Sequence, residues 1–153
     1  MPHNGVMKEE ISSILDDVPT GIFIDSTYGY GSHFDIILQH KQLKAIGFDR
    51  DQEAVDSSDP SHEVINLNFS MISDYVNNNS LTPISGILYD LGVSSHQINS
   101  SYRGFSYMLD DYLDMRMNQK DPLSVMEVVN EYSYEKLHNI FSKYGEERLS
   151  LIH

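Results

Sequence analysis

Residues 21–33 read "GIFIDSTYGYGSH": an apolar run stops at Asp25 and falls into a turn with two glycines one residue apart. A short apolar run bounded this way reads as a buried strand. Gly29 and Gly31 allow positive φ and close backbone approach to a ligand, before a helix predicted to begin near Ser32.

Three further apolar runs lie downstream: "LKAIGFD" (43–49), a weaker "HEVINLNF" (62–69) and "ISGILYDLGV" (84–93). Helical or part-helical segments near 32–40, 51–57 and 70–77 separate them. An amphipathic helix precedes them over about 6–18, where Ile11, Ile14, Leu15 and Val18 share one face. "VNNNSLTP" (76–83) is a loop, and no internal repeat or low-complexity tract interrupts the pattern. Strands alternating with helical crossovers predict a parallel sheet covered on both faces, an α/β Rossmann-like fold.

Open sheets of this kind bind ligands beyond the carboxyl ends of their strands. That rule lines up Asp25, Asp49, Phe69 and Asp90 on one rim. Asp49 follows Gly29 by 20 residues, the separation at which an acid ending the second strand meets ribose hydroxyls, so an adenosyl ligand is expected. A dinucleotide fingerprint would require glycine at position 34, which is Phe34, and a Walker A loop would require a lysine that "GYGSH" lacks. S-adenosylmethionine, which has no phosphate, suits such a turn. On spacing alone, a plain structural turn of a doubly wound domain fits equally well.

"ILYDLGVSSHQI" (87–98) places an acid at a strand end, followed by glycine, two serines and glutamine. Methyl transfer to an amine needs sulfur, methyl and nitrogen in line, with reacting atoms about 3–3.5 Å apart. A carboxylate there can accept an N–H from an exocyclic amine and aim its lone pair, a role for which Asp90 is the candidate; taken without the neighbouring motifs, an acid after a strand reads rather as the cap of a following helix or turn.

Composition sets the outer limits. The 153 residues suffice for one domain with a real core, and no cysteine is present, which removes disulfides, thiol nucleophiles and zinc-thiolate sites. No apolar stretch reaches the roughly 18 residues of a spanning helix, and the N-terminus lacks a signal-peptide pattern, so a soluble cytoplasmic protein is expected. The 10 Lys+Arg against 23 Asp+Glu, net charge -13, repel phosphate backbones, and the chain alone does not read as a nucleic-acid binder. The seven histidines show no metal-ligand spacing, and no metal is expected.

"IDSTYGYGSH", "GFDRD", "NFS", "ILYDLGVSSHQ", "RGFSYM", "LDMRM" and "YGEER", in this order and spacing, resemble the RsmH (MraW) family of methyltransferases. The opening "HNGVMKEEI" is similar to that family's start. The resemblance implies an S-adenosylmethionine-dependent enzyme that methylates the N4 amine of a cytosine in 16S (small-subunit) ribosomal RNA. It implies cofactor contacts at Gly31, Ser32, His33, Asp49, Phe69, Asp90 and Gln97, with Asp90 catalytic. It also sets "RGFSYMLDDYLDMRMN" (103–118) beside the target base, with Arg103 and Arg116 on the substrate side and Asp111 and Tyr112 where the family usually has Gly-Pro.

From Asp121 onward the chain reads as helical. "DPLSVMEVVNEY" is predicted to start at an Asp121 cap with Pro122 in the first turn, and the next helix to carry Leu137, Ile140, Phe141 and Tyr144 on one face. By resemblance the chain corresponds to the N-terminal half of the enzyme: 1–120 as the N-terminal part of the methyltransferase domain, a partial sheet of about four strands, and 121–153 as the start of a helical insertion. An unpaired sheet edge and an uncovered helix face then predict self-association or a homodimer. The expected RNA partner is reached through the full-length enzyme. The second expectation is a truncated, catalytically inactive fragment that binds S-adenosylmethionine.

Overall fold

The computed structural model describes residues 5–147, which form two compact units divided between Ser95 and His96. The first is a four-stranded, all-parallel sheet in the order β3-β2-β1-β4, with β1 at Gly21–Asp25, β2 at Leu43–Asp49, β3 at Val64–Asn66 and β4 at Ile84–Leu88. Its helices are α1 (Lys8–Asp16), α2 (Phe34–Gln39), α3 (Gln52–Asp56) and α4 (Ile72–Asn78), the last preceded by a 3-10 turn at Phe69–Met71.

Alternation along the strands fills both faces of the sheet. Phe23 and Ala45 join Leu15, Tyr28, Phe34 and Ile37 in one cluster. Their neighbours Ile24 and Ile46 join Phe48 and Ile72 in another. Both faces are covered, as the alternation of elements predicts.

Three boundaries differ from the sequence reading. α1 starts only after Met7, whose φ of 54° is left-handed, and it stops at Asp16, ahead of Pro19. β4 is five residues long because beyond Leu88 the backbone leaves the ladder: the Asp90 N–H bonds to Thr27 Oγ1 at 2.8 Å. α6 (Val125–Glu131) begins three residues after Pro122. Its N-cap is Ser124, whose N–H and Oγ–H both bond to the Glu127 carboxylate, while the Val125 and Met126 N–H groups bond to the Asp114 and Leu113 carbonyls.

α6 belongs to the second unit, together with α5 (Ser95–Asn99) at its start, a 3-10 turn at Ser101–Arg103 and α7 (Tyr134–Tyr144). The segment between Gly104 and Ser124 has neither helix nor strand, and it is shaped around two arginines. Arg103 is 0% exposed, and its Nη2 donates to the Arg116 and Met117 carbonyls at 3.0 Å each. Arg116 grips Asp114 through Nε and Nη2, at 2.6 Å for the shortest bond, and gives Nη1–H to the Asp121 carbonyl. These bonds hold the Asp114 carboxyl below the usual carboxylate range. Gly104 has φ 69°, and a Cβ there would lie 2.5 Å from the Asp114 nitrogen, so the fold-back needs glycine. On α7 the predicted apolar face includes Phe141 and Tyr144, both exposed.

Back in the first unit, β1 ends at Asp25, which is 1% exposed. Its Oδ1 accepts the Thr27 N–H at 3.2 Å, and its Oδ2 has no hydrogen-bond partner among the described residues. Burial, the largest cause, pushes its pKa up from 3.8 to about 6.

Two predictions follow the packing and the buried acid. Ile46→Ala, at a 0% exposed position, should lower unfolding free energy by about 2–5 kcal/mol in urea titration, whereas Leu38→Ala on the exposed face of α2 should change it by less than ~0.5 kcal/mol. For Asp25 the folded pKa lies above the unfolded one. Between about pH 4 and 6 the native state holds a proton that the unfolded chain has lost, so this group's contribution to stability falls as pH rises through that window and levels off above it. The stability difference between Asp25→Asn and the natural chain should therefore shift by about 2.4 kcal/mol in favour of the variant from pH 4 to 7; a pH-independent difference would contradict this assignment.

Candidate functional site

The chain runs from β1 outward to β2 and β3, then returns across the sheet to place β4 on the other side of β1. The order therefore reverses between β1 and β4, and the loops at their carboxyl ends part there to leave a crevice. Two bonds fasten its walls: the Ser26 N–H to the Leu88 carbonyl at 2.9 Å, and the Asp90 N–H to Thr27 Oγ1.

The glycine turn occupies one wall. Gly29 and Gly31 have φ of 56° and 79°. A Cβ on Gly31 would lie 2.8 Å from Tyr28 Oη, so the Tyr28 ring beneath the turn also requires glycine there. Tyr28 is itself buttressed: Oη and His62 Nδ1 share a hydrogen bond at 2.9 Å, and His62 Nε2 lies 3.4 Å from Asp35 Oδ1. Burial pushes the Tyr28 hydroxyl above its ordinary pKa, so it stays protonated.

Asp49 closes the turn from β2. Its Oδ2 accepts the Gly29 N–H and its Oδ1 the Asp51 N–H, both at 2.8 Å. Each oxygen retains a lone pair, enough for the two hydroxyls of a ribose. Burial, its largest influence, raises the Asp49 pKa against the lowering effect of those bonds.

Ser32 and His33 turn their side chains toward the N-terminal segment. Ser32 Oγ accepts the Gly5 N–H at 2.7 Å, and His33 Nε2 lies 2.9 Å from the Val6 carbonyl. His33 Nδ1 faces Asp90 Oδ2 at 3.6 Å, with side-chain exposures of 5% and 38%. Phe69, exposed at the start of its 3-10 turn, meets exposed Tyr89 edge to face at 5.7 Å.

The structure thus gathers Gly31, Ser32, His33, Asp49 and Asp90 around one crevice in the first unit, with Asp25 beneath: His33, Asp49 and Asp90 all act on its charge. Phe69 and Tyr89 form an aromatic pair from the loops that follow β3 and β4. Gln97, buried on α5, and Arg103 and Arg116 belong to the second unit, where the arginines hold the loop 103–118 as described. Sequence reasoning did not find Thr27, the Tyr28–His62–Asp35 buttress or the Gly5–Val6 contacts. No local pattern marks them, because each joins segments with no periodic relation.

An adenosyl sulfonium fits these residues on three counts. The buried Asp25 Oδ2 lacks a donor, the turn at Gly31 leaves no room for a side chain, and the carboxylates of Asp25, Asp49 and Asp90 favour a cation. Among the described residues no cluster of three or more His, Asp or Glu is placed to hold a metal, and no helix is long and apolar enough to cross a membrane.

In comparisons with known proteins, the MraW methylase family matches residues 1–151. The chain is 40% identical over 152 residues to the ribosomal RNA small subunit methyltransferase H of Ureaplasma urealyticum serovar 10 (strain ATCC 33699 / Western). That match covers 94% of this chain and 49% of the relative, so the chain spans about half the length of the curated relative it matches. With the family's pattern running along nearly every residue of an all-parallel α/β sheet and the segment that follows it, this chain belongs to the MraW methylase family.

Proposed function

We propose that this chain carries the donor-binding half-site of an S-adenosylmethionine-dependent methyltransferase acting in the cytoplasm on the N4 amine of a cytosine in 16S ribosomal RNA. The observation that carries the reading is Asp49: a carboxylate ending β2, clamped onto the glycine turn by Gly29 and holding lone pairs for ribose. Gly31 gives the methionine end of the donor close access to backbone. The side chains of Ser32 and His33 shape that turn from behind, and Phe69 flanks the adenine.

Bound S-adenosylmethionine supplies an electrophilic methyl on a sulfonium. The chain's own part is to orient the two reactants. Asp90, part-exposed and fixed through its backbone to Thr27, accepts an N–H from the exocyclic amine and turns the nitrogen lone pair toward the methyl. That amine is a poor nucleophile because its lone pair is delocalised into the base, so the orientation by Asp90 is made in the transition state, where it counts. Arg103 and Arg116 serve the substrate side as the frame of loop 103–118, which presents exposed Tyr107 and Met108 for stacking on a base. Residues 1–120 act as methyltransferase-domain sequence and 121–153 as the start of a helical insertion.

Isothermal titration of the chain with S-adenosylmethionine tests the donor site. Asp49→Ala should weaken binding by roughly 10- to 100-fold, the effect of losing hydrogen bonds to a charged acceptor. Equal affinity in the variant, or no binding by the folded natural chain, would refute the reading. Methyl transfer is read separately, as N4-methylcytidine in hydrolysed small-subunit RNA. There Asp90→Asn should lower turnover by roughly 100-fold or more, beyond a loss of donor affinity of roughly tenfold.

A further inference from the structure

His33 is a buried histidine whose two ring nitrogens are both directed at fixed oxygens. The Val6 carbonyl can only accept, so the 2.9 Å contact assigns a proton to Nε2. That assignment leaves Nδ1 as the atom facing Asp90 Oδ2. At 3.6 Å the two form an ion-pair contact, longer than a direct hydrogen bond, and it is attractive only when a proton lies on the ring nitrogen or on the carboxyl. The N-terminal side of this arrangement leaves little slack. Gly5 donates to Ser32 Oγ at 2.7 Å, and a Cβ on Gly5 would lie 2.6 Å from that oxygen and 2.8 Å from His33 Nε2. Thus Gly5 and Val6, far from the rim in sequence, grip the two residues that follow Gly31.

We propose that His33 is a positioning residue: held by the Val6 carbonyl through Nε2, it uses Nδ1 to set the Asp90 carboxylate, so that the Gly5–Val6 segment is a working part of the methyl-transfer site. The proposal rests on the role given to Asp90 above, but its geometry does not. Asp90 is the part-exposed member that meets a substrate, and His33 is the sequestered member behind it. Asp25, whose charge also interacts with His33, is the other acid near the ring, and it stays unchanged in every variant below.

Nitrogen NMR of the histidine-labelled chain reads the contact directly. In the natural chain His33 Nε2 should be the protonated, hydrogen-bonded nitrogen. Asp90→Asn should move the Nδ1 resonance and leave Nε2 in place. Titration with S-adenosylhomocysteine then reads the coupling. His33→Phe and Gly5→Val should each weaken binding by roughly five- to tenfold, and His33→Phe should add less than about twofold in an Asp90→Asn background, the non-additivity of residues in contact. An Nδ1 resonance indifferent to Asp90→Asn, or effects of His33→Phe and Asp90→Asn that simply multiply, would overturn the assignment. If the natural chain binds no S-adenosylhomocysteine, the donor-site reading fails, while the ring resonances still decide what His33 does. They also decide it if His33→Phe does not fold.

Discussion

The site depends on one topological constraint: β1 pairs in parallel with both β2 and β4, because the chain leaves β1 toward β2 and β3 and then returns from β3 to add β4 on β1's other side. Three carboxyl ends are thereby aligned, and the loops above them must separate. A parted pair of loops would be a floppy opening were its backbone donors not claimed. They are claimed by side chains of the rim itself: Thr27 takes the Asp90 N–H, and Asp49 takes those of Gly29 and Asp51. Asp49 thus sets the crevice's shape while keeping lone pairs unshared, and deleting its carboxylate would remove two backbone anchors at once.

Electrostatics narrows what such a crevice accepts. Burial raises the cost of ionising Asp25 and Asp49, and the charges of Asp49 and Asp90 add to it for Asp25. A cationic ligand relieves that cost and an anionic one increases it, so the same glycine turn that cradles a pyrophosphate elsewhere is here set against phosphate. The net charge of -13 acts in the same direction over a longer range. The arginines of loop 103–118 do not offset this charge toward an outside partner: Arg103 is fully buried, and Arg116 is bidentate to Asp114, so both serve the loop's internal frame.

Much of this was legible in one dimension because it rests on local rules. The strands at 21–25 and 43–49 coincide with their apolar runs. The acids at their ends, and the positive φ of Gly29 and Gly31, follow from alternation, spacing and backbone sterics. The α6 start was misplaced at Asp121–Pro122 because two competing caps lie within four residues. The winner, Ser124, was chosen by partners outside the helix: the Leu113 and Asp114 carbonyls take the first free N–H groups. β4 was read too long for a similar reason, since Tyr89 and Asp90 continue the apolar-to-acid pattern while the Thr27 hydroxyl withdraws the backbone from the ladder.

A parallel α/β sheet, an acidic rim with a glycine turn, and membership of a methyltransferase family can all be read along the chain, because periodicity, residue spacing and motif order are properties of neighbours in sequence. That Tyr28 underlies Gly31, that Gly5 and Val6 hold Ser32 and His33, and that His33 faces Asp90 emerge only once the chain is folded. Those relations join residues 27 to 57 positions apart, or in Tyr28's case across a turn that could have closed otherwise, and they arise from the packing of both faces of the sheet, which no local pattern encodes.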